Sequence, residues 1–182
     1  MKNPYYEQFC LLPQYGWEQH QHRRDLVQHY AWAIPNHDAI KAIVDCGPIL
    51  EIGCGNGYWA SLIAQMGGDI IATDPRDKNF SFDCEWFTVE RRNALEAVTM
   101  YGRDRALLSI WPSYNEHWCY DALVAYPGDT FIYVGEGGWG CTGDDALHAL
   151  REDETKWKEI KSVRIPQWDG IHDYLTIYKR VA

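Results

Sequence analysis

The sequence predicts an α/β fold. Its core is a doubly wound, mostly parallel seven-stranded sheet with an antiparallel C-terminal hairpin, preceded by a short N-terminal helical cap. Three observations carry this. Short apolar runs with strand character alternate with helical periodicities from Ile49 onward. A glycine-rich turn, Gly53-Cys54-Gly55-Asn56-Gly57, directly follows the first of those runs. The last two extended runs, Ser162 to Ile165 and Tyr174 to Lys179, have only the loop around Gln167-Trp168-Asp169-Gly170 between them. Such alternation places helices on both faces of a parallel sheet.

The elements follow in order. Residues 1–24 are polar and aromatic and end on His20, His22, Arg23 and Arg24. Asp25 to Ile34 spaces Leu26, Val27, Tyr30, Ala31 and Ile34 helically, and Pro35 stops it. Asn36 caps a second helix with Ile40, Ile43 and Val44 on one face, and Gly47-Pro48 ends it. Residues 1–47 are thus the cap, and residues 48–182 the core of one domain. Pro48 to Ile52 reads as a buried strand and Tyr58 to Met66 as a helix. Ile70 to Thr73 is the second strand, closed by Asp74-Pro75, and Trp86 to Val89 the third. Ala106 to Ile110 is the fourth, ended by Trp111-Pro112. Tyr114 to Tyr126 is helical, with Ser113-Tyr114-Asn115-Glu116 as a capping-box pattern. After the turn Pro127-Gly128-Asp129, Thr130 to Val134 is the fifth strand and Asp144 to Ile160 a helix. The hairpin supplies the last two strands.

Composition narrows the function. A chain of 182 residues supports one domain with a real core, and 46% hydrophobic residues exclude disorder. No apolar run approaches the ~18–20 residues of a membrane helix. The first residues, Met1 to Glu7, lack the apolar centre of a signal peptide. The 17 basic and 26 acidic residues give −9, which argues against broad binding to nucleic acid or anionic membranes. Six scattered cysteines without a C-x-x-C read as reduced thiols of a cytoplasmic protein. His20, His22, His29 and His37 lack zinc-site spacing, so no metal is expected. The 9 Trp, 12 Tyr and 5 Phe must be buried or used for binding.

Ligands of such sheets sit at the carboxyl ends of the strands. The glycine turn after the first strand lets backbone approach a ligand closely. Asp74, ending the second strand, can accept bonds from two vicinal ribose hydroxyls. Together they point to a nucleoside more specifically than either alone. Glu51-Ile52-Gly53-Cys54-Gly55-Asn56-Gly57 resembles the first motif of the class I S-adenosylmethionine-dependent methyltransferases, an acid followed by x-G-x-G-x-G. The dinucleotide fingerprint G-x-G-x-x-G fails there, because its third glycine is Tyr58. The resemblance spans roughly residues 26 to 180 and is strongest from Ile49 to Asp74.

That resemblance implies a Rossmann-like core, S-adenosylmethionine as cofactor, S-adenosylhomocysteine as product, and in-line methyl transfer. Glu51, Gly53, Cys54, Gly55, Gly57 and Tyr58 would hold the methionine end, Glu51 through the amino group. Asp74 and Pro75 would take the ribose, Asn93 and Ala94 the adenine. Ile110-Trp111-Pro112 would line the far side of the adenine or the methyl donor. Separately from the resemblance, Tyr30 and Trp32, on the helix before Pro35, can close over the cofactor. Amino methyltransferases of adenine or glutamine carry Asp or Asn, Pro, Pro and an aromatic after the fourth strand. Trp111-Pro112-Ser113-Tyr114 departs from that pattern, so the group that would hold a target amine is missing.

A true G-x-G-x-x-G occurs at Gly135 to Gly140, after the fifth strand, and reads as a lid or acceptor loop. Tyr114, His117 and Glu136 are the catalytic candidates. Trp111, Tyr114, Glu136, Trp139 and His172 are the acceptor-binding candidates. The expected acceptor is a small molecule, and the expected state a monomer or homodimer. The alternatives are an RNA or protein methyltransferase, which a basic patch at Arg91, Arg92, Arg103 and Arg105 would favour, and a non-methylating S-adenosylmethionine-binding protein.

Overall fold

The computed structural model describes residues 1–13, 15–76 and 82–181. Its strands are β1 (Ile49–Ile52), β2 (Ile70–Asp74), β3 (Val89–Arg91), β4 (Ala106–Ile110), β5 (Thr130–Gly135), β6 (Trp157–Arg164) and β7 (Tyr174–Arg180). Its helices are α1 (Pro4–Phe9), α2 (Trp17–His29), α3 (His37–Val44), α4 (Tyr58–Gln65), α5 (Ala94–Tyr101), α6 (Trp118–Ala125) and α7 (Asp145–Glu152). All seven strands form one sheet in the order β3-β2-β1-β4-β5-β7-β6. β1 pairs in parallel with both β2 and β4, and β7 runs antiparallel between β5 and β6. The strand order reverses at β1, so a crevice opens at its carboxyl end.

β1, β4 and β5 are buried along their whole length. That is why they read as continuous apolar runs rather than alternating ones. Their pleat divides the interior into two cores. Ile49, Leu108, Ile110, Ile132 and Val134 meet Ile40, Ile43, Trp59, Leu62 and Ile63 of α3 and α4. Leu50, Ile52, Leu107 and Phe131 meet Val98, Leu123 and Leu147 of α5, α6 and α7.

The cap is tied down by aromatic hydroxyls. Tyr5 stacks on Tyr30 with ring centroids 4.9 Å apart. The Tyr5 backbone N–H donates to the Tyr58 hydroxyl (3.2 Å), which donates to Asn3 Oδ1 (2.9 Å). The Trp168 indole donates to the Tyr5 hydroxyl at 3.2 Å. One α1 residue thereby joins α4 to the loop before β7. No described helix is long and apolar enough to cross a membrane.

Four elements differ from the sequence reading. The expected Asp25–Ile34 helix is instead α2, which begins at Trp17 and ends at His29. The chain then leaves helical geometry at Tyr30 and buries Ala33 and Ile34 before it reaches Pro35. β3 lies at Val89–Arg91, not Trp86–Val89. Trp86 instead stacks on Tyr30 at 5.4 Å and donates its indole N–H to the His29 carbonyl at 2.8 Å. The capping box at Ser113 does not form. Asn115 takes a left-handed φ of 60°, and α6 starts only at Trp118. The Asp144–Ile160 helix stops at Glu152, where Asp153 makes a turn, and β6 begins at Trp157. Pairing with β7 and burial of Trp157 against Phe131 override local helical spacing.

β6 is the outer strand. Only Trp157 is buried, Lys158 to Ser162 are exposed, and a register shift interrupts its pairing between Glu159 and Lys161.

Candidate functional site

A cavity of about 910 Å3 opens at the carboxyl ends of β1, β2 and β4. Its first half is built on the turn after β1. Gly53, Gly55 and Gly57 all have left-handed φ, at 65°, 59° and 78°. A Cβ on Gly53 would lie 2.7 Å from the Trp118 ring, and one on Gly55 2.7 Å from the Phe82 ring. Two aromatic rings therefore close directly onto bare backbone.

Carboxylates flank this turn. Asp74 Oδ2 accepts from the Gly55 N–H at 3.0 Å and Oδ1 from the Arg76 N–H at 2.8 Å. Each oxygen keeps a lone pair beyond those bonds. Glu51 points into the cavity from β1, is 1% exposed, and has its Oε2 buried without a hydrogen-bond partner. Burial, then the Asp74 charge, pushes its carboxyl up to about 8. Asn93 and Ala94 enter from the start of α5, whose capping box joins Asn93 to Glu96.

The second half of the cavity is aromatic. Trp32 from the cap and Trp111 after β4 stack at 5.1 Å with planes 8° apart. Tyr114, Glu116, Trp118 and Cys141 complete it. Asp173, 1% exposed, accepts from the Trp111 indole at 2.8 Å. Burial raises Asp173 to about 7 against that bond, and its Oδ1 has no partner.

The expected cofactor residues Tyr30, Glu51, Gly53, Cys54, Gly55, Tyr58, Asp74, Pro75, Asn93, Ala94, Ile110 and Trp111 all line this cavity. Gly57 does not: it starts α4 and packs against Phe87. Of the acceptor and catalytic candidates, Trp111 and Tyr114 line it, and His117, Glu136, Trp139 and His172 do not. His117 sets Nδ1 against Asp144 at 2.5 Å and Nε2 against Asp121 at 3.7 Å, outside the cavity. Glu136 accepts from the Cys141 N–H (2.8 Å) and the His172 N–H (2.8 Å), so it braces its own loop. Burial works to raise Glu136, but the bonds from Cys141 and His172 outweigh it and hold the carboxyl low. Trp139 is fully exposed. The thiols lining the cavity are poor nucleophiles: burial pushes Cys54 up, and burial with Glu136 pushes Cys141 to about 12. Sequence reasoning missed Asp173, Arg76, Phe82 and Trp118. Among the described residues no group of three or more His, Cys, Asp or Glu could hold a metal ion.

No protein-family model and no curated protein matches the sequence. Solved structures do. The 1,6-didemethyltoxoflavin-N1-methyltransferase of Burkholderia thailandensis, solved with 1,6-didemethyltoxoflavin and S-adenosylhomocysteine, is 14% identical over 94% of both chains, with a TM-score of 0.57. The magnesium protoporphyrin IX methyltransferase of Synechocystis PCC 6803, solved with SAM, is 12% identical with a TM-score of 0.54. That match covers 98% of this chain and 90% of the other. The chain has the class I methyltransferase fold. An uncharacterised protein of Listeria monocytogenes serotype 4b is 14% identical with a TM-score of 0.55 over 78% of this chain, which spans only 65% of that protein's length. A ribosomal protein L11 methylase of Lactobacillus delbrueckii shares the methyltransferase fold too. The fold therefore leaves the acceptor class open.

Proposed function

We propose that this chain is an S-adenosylmethionine-dependent methyltransferase acting on a small molecule. The observation that carries the reading is Glu51. Its carboxylate lines a ligand-sized cavity, yet one oxygen is buried and unpaired. Such an orphan is costly, and the amino group at the methionine end of the donor would satisfy it. Asp74 has lone pairs left for two vicinal hydroxyls. Asn93 and Ala94 lie where the adenine would rest. S-adenosylmethionine supplies a methyl already activated on a sulfonium, so catalysis asks chiefly for alignment and exclusion of water. Residues 1–47 act as a cap on the core of one domain, because Tyr30, Ala31 and Trp32 roof the cavity. The solved structures that share the fold and hold SAM or S-adenosylhomocysteine support the cofactor.

A small acceptor fits the enclosed aromatic half of the cavity. Arg92 and Arg105, which would have marked an RNA track, are paired with Glu90 at 3.1 Å and Asp69 at 2.8 Å. Calorimetry on the full chain with S-adenosylmethionine, S-adenosylhomocysteine and NAD tests the reading. Both adenosyl ligands are expected to bind. Binding of NAD and of neither adenosyl ligand would refute it. Labelled methyl donor incubated with cell extract is expected to place label in the low-mass fraction, and label in polymer would refute the small acceptor.

A further inference from the structure

We infer that Arg23 and Asp173 are a positioning pair: attracting each other at the seam between Trp32 and Trp111, they hold the cap over the cavity and set how fast a bound adenosyl ligand leaves. The control of ligand exit rests on the methyltransferase reading, and the hold on the cap does not. Three observations meet here.

The first is a pair of complementary orphans. Arg23 Nε and Asp173 Oδ1 are both buried and both without a hydrogen-bond partner. One is a donor on α2, and the other an acceptor in the loop before β7. A buried donor or acceptor left unpaired is costly, and each of these atoms is what the other lacks.

The second is place. The Arg23 guanidinium lies 6.0 Å from the Trp32 ring and 5.9 Å from the Trp111 ring. Asp173 Oδ2 accepts from the Trp111 indole at 2.8 Å. The Arg23 charge acts on Asp173, Tyr5 and Cys141. A cation from the cap and an acid from the core therefore meet at one stacked indole pair, whose rings are 5.1 Å apart. Trp111 is held there at a left-handed φ of 49°, a conformation that persists only where its surroundings fix it.

The third is connection. α2 is tied near its start, where the Gln19 side chain accepts from the Asp169 N–H at 2.7 Å. It is tied at its end, where the His29 carbonyl accepts from Asn56 at 3.0 Å and from the Trp86 indole at 2.8 Å. Arg23 lies between these ties. The helix runs on directly into Tyr30, Ala31 and Trp32, which line the cavity. Holding α2 against the core thus holds the roof in place.

The attraction depends on pH. Burial raises the Asp173 carboxyl to about 7, so the hold is stronger above that pH, where the acid is ionised, than below it. The groups facing Asp173 are Arg23, Tyr5, Tyr133, Glu136, Cys141 and His172. Burial pushes Tyr5, Tyr133 and Cys141 up, which keeps them neutral through this range.

The test uses the full chain and four variants: Arg23→Gln, Arg23→Lys, Asp173→Asn and the Arg23→Gln/Asp173→Asn double. Asp173→Asn keeps an acceptor for the Trp111 indole. Hydrogen exchange of the α2 amides is followed without ligand, each variant against the parent at the same pH. At pH 8, Arg23→Gln and Asp173→Asn are each expected to exchange about five-fold faster than the parent, the double variant no faster than either, and Arg23→Lys close to the parent. At pH 5.5 the excess of the single variants should shrink to less than about two-fold. An unchanged Arg23→Gln, multiplied effects in the double variant, or an excess equal at both pH values would overturn the pair. S-adenosylhomocysteine, chased by excess S-adenosylmethionine, should leave each single variant about five-fold faster at pH 8. Departure at the parent rate would overturn the control of exit. Should S-adenosylhomocysteine fail to bind, the methyltransferase reading falls, and hydrogen exchange alone decides the pair.

Discussion

Replacing Glu51 by glutamine keeps the side chain's shape and removes its ionisation. The folded chain holds Glu51 as the neutral acid up to about pH 8, whereas the unfolded chain gives up that proton near 4.5. Through that window the folded state carries the extra proton, so stability falls as pH rises. At ~1.4 kcal/mol per pH unit, the whole span is worth roughly 5 kcal/mol. A buried glutamine amide forgoes hydrogen bonds worth about 1–3 kcal/mol. Glu51→Gln is therefore expected to be about 2–4 kcal/mol more stable than the parent at pH 8 and equal to it or up to about 2 kcal/mol less stable at pH 5. Asp173 also titrates in the folded chain, near 7, but it is common to both proteins and cancels in their difference. Urea denaturation from pH 5 to 9 measures that difference. The same substitution should weaken S-adenosylhomocysteine about ten- to a hundred-fold, the cost of a lost charge-assisted bond. In the parent, binding near neutral pH should release a proton, seen as a heat that depends on the buffer's ionisation enthalpy. A stability difference that stays flat with pH, or a binding heat independent of buffer, would refute the role given to this carboxyl.

Three further outcomes are expected. Asp74→Ala removes the acceptor for the Gly55 N–H and for the ribose, and should weaken S-adenosylhomocysteine at least ten-fold by calorimetry; unchanged affinity counts against the ribose role. Gly53→Ala sets a Cβ 2.7 Å from the Trp118 ring at a left-handed φ, and thermal unfolding should register a loss of about 1–3 kcal/mol. Tyr58→Phe strips the hydroxyl shared by the Tyr5 N–H and Asn3, and should cost about 1–3 kcal/mol while making the N-terminal helix an earlier target for limited proteolysis.

The strand ends that line the cavity were the part most legible in the sequence. Ile49 to Asp74 announces itself because a fully buried parallel strand, a turn needing left-handed φ, and a strand-end acid each leave a local mark. The polar helix α2 left none: Glu18, Arg23, Arg24 and Asp25 form no apolar stripe, so only tertiary contact reveals where it begins. Trp157 to Ile160 shows the opposite failure, where local spacing suggested a helix and pairing with β7 decided otherwise. Asp173 was invisible for another reason. Its role depends on Trp111, 62 residues away in sequence, and no spacing rule reaches that far. Arg23, at the end of the polar N-terminal segment, was equally silent: it lies about 6 Å from both the Trp32 and the Trp111 ring.

The two borders of the sheet carry a consequence for the protein in bulk. β3 is three residues long, and β6 combines exposed Lys158, Glu159 and Lys161 with an interrupted register. Neither offers the long, flat, uncharged edge on which foreign strands pair. A second molecule approaching β6 in extended form would have to bury lysine ammonium groups against its own backbone. Cross-β aggregation starting from the intact protein is thereby disfavoured. β5 becomes a free edge only after β6 and β7 have peeled away, and β1 only after β3 and β2 have.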